Sequence, residues 1–327
     1  LDALRRAGLE EAVLAQVVMM RGRMVHALDG ATNMQRYGID DSEVNQSVSR
    51  GGLNMLLLDA AEKAGTRLHF GQALASADFD RRQLVFSDTD GNTNAVGFDV
   101  VIGADGAGSA LRAAMRQAGD IGERVEPLDH GYKELEIPPL GQLPDAALTP
   151  ELQTARDAGE KFAIAPDALH IWPRGNCMCI ALPNDERTFT VTLFMALHDE
   201  GHGDPHFDAV ASGADAIALF ERAFPDTLPL IPELARDFER NPVGSLGTLY
   251  LDRWRLGGDV VLLGDAALAM VPFHGQGMNC AFEAASSAAG VSCARCSGSS
   301  PRTKRRVCSY SGIASSIGSW SASRISA

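Results

Sequence analysis

The sequence predicts an α/β protein that carries a β-rich insert, and three observations support this. Two short apolar runs, Asp99-Val-Val-Ile-Gly103 and Asp259-Val-Val-Leu-Leu-Gly264, have the continuous hydrophobicity of buried parallel strands. Each passes through glycine and aspartate into a helical stretch. Between them, about 120–250 is rich in short β-type runs and in Pro- and acid-containing loops. The 327 residues, 45% of them hydrophobic, are enough for one large domain or two ordinary ones without disulfide staples.

The elements follow in order. Leu4, Leu9, Ala12 and Val13 predict a helix over 2–16. Residues 17–28, richer in Val and Met, predict a strand carrying Arg21 and Arg23. Leu53, Leu56, Leu57, Ala60, Ala61 and Ala64 share one helical face, and Gly65 stops that helix. Short β signals follow at 67–70, 75–80 and 83–87, with Asp90-Gly91 as a turn dipeptide. The first Gly-Ala-Asp105-Gly106 stretch leads to a helix near 109–118. Strands are predicted at 130–137, 169–173, 177–183 and 188–196, the last two as a hairpin around Pro183-Asn184-Asp185. A helix at 214–224 ends before Pro225, and a strand lies near 245–251. Serine-rich residues from Ser286 onward show no period and predict a disordered tail. The expected domains are 1–119, 120–250, a return over 251–285, and the tail 286–327.

Charge narrows the function. The formal net charge is −13, yet 286–327 holds Arg295, Arg302, Lys304, Arg305, Arg306 and Arg324 and no acid, so the rest is more acidic still. An acidic body argues against a nucleic-acid or anionic-membrane partner. No run reaches the roughly 18 apolar residues of a membrane span. Six cysteines in this length are no disulfide framework, and a soluble cytoplasmic protein is expected. Cys293 and Cys296 have half a zinc spacing without a second pair. His198, His202 and His206 recur every four residues, but Gly201, Gly203 and Pro205 break that helix, so no metal is expected.

The chemistry-bearing motifs sit at strand ends. Asp105 and Asp265 each follow a buried-strand pattern, where open α/β sheets bind ligands. Each could accept hydrogen bonds from a ligand hydroxyl, or simply cap a helix. The loop Gly264–Asn279 places Gly275 and Gly277 around Gln276 before a helix. Amides at such a terminus favour negative charge.

These stretches, together with Met20-Arg-Gly-Arg-Met-Val-His26, Ser47-Val-Ser-Arg-Gly-Gly-Leu-Asn54, His130-Gly-Tyr-Lys-Glu-Leu-Glu-Ile-Pro-Pro139, Leu169-His-Ile-Trp-Pro-Arg174, Ile180-Ala-Leu-Pro-Asn184 and Phe189-Thr-Val-Thr-Leu-Phe194, occur in a family's order. Over about 1–285 the chain resembles the class A flavin aromatic hydroxylases. The resemblance implies an FAD/NAD(P)-binding Rossmann-like domain with a β-rich substrate domain. It implies NADPH as co-substrate, FAD as cofactor, and hydroxylation of L-kynurenine, a small aromatic amino acid, at the 3-position. It assigns Arg50, Asp105, Gly106, Asp265, Gly277, Met278 and Asn279 to the cofactor. It assigns Arg23 and Tyr37 to the substrate carboxylate, and Leu169, Ile180, Phe194, Pro272, Phe273 and His274 to the surroundings of the substrate ring. A guanidinium suits the first role because it forms a bidentate, charge-assisted bond to a carboxylate.

The chain departs from the family pattern in three places. No Gly-x-Gly-x-x-Gly occurs, so the first βαβ unit is expected to be missing. Leu268 stands where the family usually has histidine, and Gly51-Gly52 replaces a more polar pair. The resemblance ends near Phe282-Glu283, where a change of reading frame would explain the acid-free tail. A non-catalytic fragment and a hydroxylase of another aromatic acid remain open as alternatives.

Overall fold

Each of the two units of the molecule is assembled from separated stretches of chain, three in the first and two in the second. The computed structural model describes residues 1–199 and 201–296. It divides into one unit of Leu1–Arg6, Arg67–Pro127 and Gly247 onward, and a second of Ala7–Thr66 and Leu128–Leu246.

The first unit is built on the two buried strands that the sequence marks. Val101–Gly103 and Val260–Leu262 pair in parallel, Val260 opposite Val101 and Leu262 opposite Gly103, with Arg255–Leu256 outside them. Helix Ala110–Ala118 packs Leu111 and Met115 into a cluster with Val260, Leu262 and Ala266. Strands Ala73–Asp78, Gln83–Ser87 and Thr93–Gly97 form a separate antiparallel sheet. Helix Gly277–Cys296 packs Ala284 and Ala288 against Val261 and Leu263.

A seven-stranded sheet supplies the core of the second unit. Its order is Gly244–Tyr250, Arg124–Ile137, Phe189–Ala196, Cys177–Pro183, Ala168–Arg174, Gly22–His26 and Thr32–Arg36. Gly22–His26 joins Ala168–Arg174 in parallel. One face buries Leu135, Trp172, Cys179, Val191 and Leu193 together with Phe220, Phe224 and Leu234 from the covering helices. Helix Gly213–Ala223 begins at a reciprocal capping box between Ser212 and Asp215.

Four expectations are corrected. The helix predicted over 2–16 is two short ones, Asp2–Arg6 and Glu10–Leu14, separated around Gly8 at φ +73. A right-handed helix cannot pass through that conformation. The single strand predicted over 17–28 is also two. Val17–Met20 pairs with Asn45–Val48, whereas Gly22–His26 enters the large sheet. Residues 67–70 form no strand. Finally, the helix Gly277–Cys296 runs through Ser286, where a disordered tail was expected to begin. Alanine, the best helix former, recurs there, and two of the alanines are buried. The rest of the tail, from residue 297, lies outside the described residues. Among the described residues no helix is long and apolar enough to cross a membrane, and no group of three or more His, Cys, Asp or Glu side chains could hold a metal.

Candidate active site

The sheet of the second unit has a core face and a less buried one, and strand register decides which residues share each. Leu169 lies opposite Arg23, Ile180 opposite Ile171 and Thr192, and Phe194 opposite Met178 and Tyr132. Side chains alternate along a strand, so Arg23, Leu169, Ile180 and Phe194 all project from the face opposite the core cluster. Tyr37 follows Thr32–Arg36 with the same parity as Gln35, the partner of Arg23. Its ring centroid is 5.7 Å from the Arg23 guanidinium carbon, a cation–π distance. Arg23 itself is exposed, Leu169 and Ile180 are half-buried, and Phe194 is buried beside Tyr132 at 6.4 Å.

The approach of the strands depends on the residue before Arg23. Gly22 is buried, and a Cβ there would collide with the backbone of Gln35 and Arg36. Arg50, first residue of helix Arg50–Lys63, is capped through Ser49, whose hydroxyl accepts from Gly52 N at 3.3 Å. Its guanidinium reaches the Glu134 carboxylate at 3.9 Å. Glu134 lies opposite Thr192 and so on the same face as Ile180.

Behind this face lies a buried polar cluster that the sequence did not flag. His26 Nε2 and His170 Nδ1 are 2.8 Å apart. Trp172 donates its indole N–H to Asp226 at 2.6 Å. Arg174 donates to the carbonyls of Ala223 and His26. Burial pushes the pKa of His170 down to about 4 and also lowers that of His26.

In the first unit, both strand-end aspartates stand at the carboxyl ends of neighbouring parallel strands. Their situations differ. Asp105 accepts from Ser109 Oγ at 2.5 Å and Leu111 N at 3.1 Å, so its carboxylate joins Ser109, the N-cap residue, whose hydroxyl accepts from Arg112 N at 2.9 Å, in capping helix Ala110–Ala118. Gly106 follows at φ +79. Asp265 is exposed in the turn Gly264–Ala266. Pro272 and Phe273 are exposed in a 3-10 turn that ends at Gly275, and the side chain of His274 lies outside those described. Met278 and Asn279 are exposed in the first turn of helix Gly277–Cys296.

Sequence reasoning missed one residue of this region. Arg112 is 8% exposed and donates to the carbonyls of Ala107 at 2.5 Å and Ala266 at 3.1 Å, and to Glu123 at 3.1 Å. It ties the loop after Asp105 to the turn that holds Asp265. Helical periodicity places it beside buried Leu111 without revealing those carbonyls. Its only signal is an arginine beside an apolar stripe.

No protein-family model matches the chain. Solved structures share its fold. One neighbour is 2-methyl-3-hydroxypyridine-5-carboxylic acid oxygenase, at TM-score 0.65 and 20% identity over 97% of this chain and 72% of that one. Another is HpxO of Klebsiella pneumoniae complexed with FAD and uric acid, at TM-score 0.59 and 18% identity over 89% and 67%. The sequence relatives are more specific. The chain is 55% identical over 282 residues to kynurenine 3-monooxygenase of Xanthomonas axonopodis pv. citri (strain 306), covering 86% of this chain and 57% of that protein. Identity is also 55% over 283 residues to the protein of the same name from Stenotrophomonas maltophilia (strain K279a), covering 86% and 58%. The chain is homologous to the kynurenine 3-monooxygenases and spans about 57% of the length of these curated relatives.

Proposed function

We propose that this protein is an FAD- and NADPH-dependent monooxygenase that converts L-kynurenine to 3-hydroxykynurenine. The observation that carries the reading is the gathering of Arg23, Tyr37, Leu169, Ile180 and Phe194 on one face of one sheet. Strands lie about 4.8 Å apart, so the strip from Arg23 to Phe194 runs roughly 14 Å. That suits a flat aromatic amino acid, with its carboxylate on the guanidinium and its ring along the apolar side chains. The Tyr37 ring steadies the guanidinium from one side. Leu169, Ile180 and Phe194 exclude water from the substrate ring.

The residues of the first unit fit a flavin. Exposed Asp265 at a strand end can accept hydrogen bonds from ribitol hydroxyls. Gly277, Met278 and Asn279 open a 20-residue helix whose N-terminus favours negative charge. Asp105 and Gly106 shape the neighbouring loop, Asp105 through its cap. Bound FAD, reduced by NADPH, supplies the oxygen chemistry, and the protein supplies binding, orientation and dryness.

The test is NADPH oxidation by the FAD-loaded full-length protein. L-kynurenine should stimulate it and 3-hydroxykynurenine should accumulate. Arg23→Ala should raise the kynurenine KM about tenfold or more, the scale of a lost charge-assisted bond. An unchanged KM removes Arg23 from the substrate site.

A further inference from the structure

Directly behind the Arg23 face, three alternate residues of Ala168–Arg174 hold one residue of the strand Gly22–His26. His170 Nδ1 lies 2.8 Å from His26 Nε2. The Trp172 ring stacks on the His26 ring at 4.3 Å between centroids and 16° between planes. Arg174 Nη1 donates to the His26 carbonyl at 2.9 Å. The proton positions follow from the last partner in the line. His170 Nε2 is 2.8 Å from the carbonyl of Ala165, which can only accept. His170 Nε2 therefore carries the hydrogen and its Nδ1 accepts, so His26 must donate from Nε2. Asp226 lies 3.6 Å from the other nitrogen of His26.

This contact fixes a register. Gly22–His26 is held to Ala168–Arg174 by a parallel ladder of four pairs, Gly22 with Ala168 through Val25 with Ile171. Its other neighbour, Thr32–Arg36, is mostly exposed. Parallel pairing is slightly weaker per residue than antiparallel. A slip of one residue would turn Arg23 to the opposite face of the sheet. Only in the native register do the imidazole of His26, its stack and its carbonyl all meet residues 170, 172 and 174.

We propose that His26 is a positioning residue, whose Nε2–H donated to His170 holds Arg23 beside Leu169 and thereby sets the affinity for the substrate carboxylate. This rests on the reading of Arg23 as the carboxylate-binding residue.

The experiment measures Kd from the flavin absorbance change of the FAD-loaded full-length protein. The ligands are L-kynurenine and its decarboxylated amine. The variants are Arg23→Ala, His26→Leu, the double variant, and His26→Gln, whose amide N–H can still reach His170. Each single variant should weaken L-kynurenine about tenfold, and the double variant should be no more than about twofold weaker than Arg23→Ala. Binding of the decarboxylated amine should change by less than about twofold in every variant. His26→Gln should restore L-kynurenine affinity to within about threefold of the parent. In His26→Leu, kcat at saturation should stay within about threefold while KM rises. If His26→Leu does not fold, His26→Asn, whose shorter amide stops short of His170, carries the same expectation. If Arg23→Ala is silent, or the decarboxylated amine binds the parent as tightly as L-kynurenine, the carboxylate reading and this inference fall together. If Arg23→Ala acts on carboxylate binding, but the His26 variant is silent, additive, or equally damaging to both ligands, only the role of His26 is overturned.

Discussion

At the residue scale, His170 is neutral in the core because burial outweighs its hydrogen bond to the Ala165 carbonyl, which brings its pKa to about 4. The neighbouring His26 lowers it further and Asp167 raises it slightly. In the unfolded chain the same imidazole takes up its proton near 6.5. The unfolded state therefore binds more protons between those two values, and stability rises with pH across that window. The contribution is fully present above about pH 6.5 and is lost progressively as pH falls to about 4, amounting to roughly 3 kcal/mol. Urea unfolding between pH 7.5 and 4.5 should show this slope, and His170→Phe should flatten part of it. An equally steep profile in the variant sinks the assignment. Such residues are the least legible in a sequence. By pattern alone His170 is one more residue of an alternating strand, and Arg23 is a surface charge. Asp105 could be either cap or ligand, and the structure shows its carboxylate engaged as a cap.

At the element scale, legibility followed periodicity. The strands Ala168–Arg174 and Cys177–Pro183 alternate, as does the first half of Phe189–Ala196, and the boundaries of all three fall within a residue or so of those expected. The breaks were hidden because composition continues across them. Val17–Met20 and Gly22–His26 read as one β-type run, yet the chain turns at Arg21, whose N–H donates to the Asp167 carbonyl at 2.7 Å. Gly22 marks that turn for a reason of close approach, since a side chain there meets the backbone of Gln35. Gly22→Ala should push Gly22–His26, which carries Arg23, away from Thr32–Arg36 and cost about 1–3 kcal/mol, as overpacking does. The measurement is the urea midpoint at constant m-value, with the kynurenine KM recorded beside it. A midpoint unchanged from the parent would show that the strand pair accommodates the methyl group, and the close approach would then carry no weight.

At the scale of the whole molecule, what pairs with what could not be read from local pattern. His26 and His170 are 144 residues apart, and the first unit joins strands from 101–103 and 260–262. Local periodicity gives strands but not partners, and the closure of such long loops is invisible to it. The resemblance to a family supplied what periodicity could not: it put Arg23 at the carboxylate and Leu169 at the ring of one ligand, and the two strand-end aspartates at another ligand. That division leads to a prediction about where each ligand acts. Most residues proposed to hold FAD, from Asp265 to Asn279, belong to the first unit, and those proposed for the kynurenine carboxylate belong to the second. A ligand that binds only the folded state stabilises it by about 2.7 kcal/mol at a hundred times its Kd. Hydrogen exchange should therefore slow in Gly264–Cys280 when FAD is added, by up to about 100-fold for amides that open with the site. L-kynurenine added afterwards should slow Gly22–His26 and Ala168–Arg174. Unchanged exchange at Gly264–Cys280 under saturating FAD would mean that these residues do not hold the flavin in this chain.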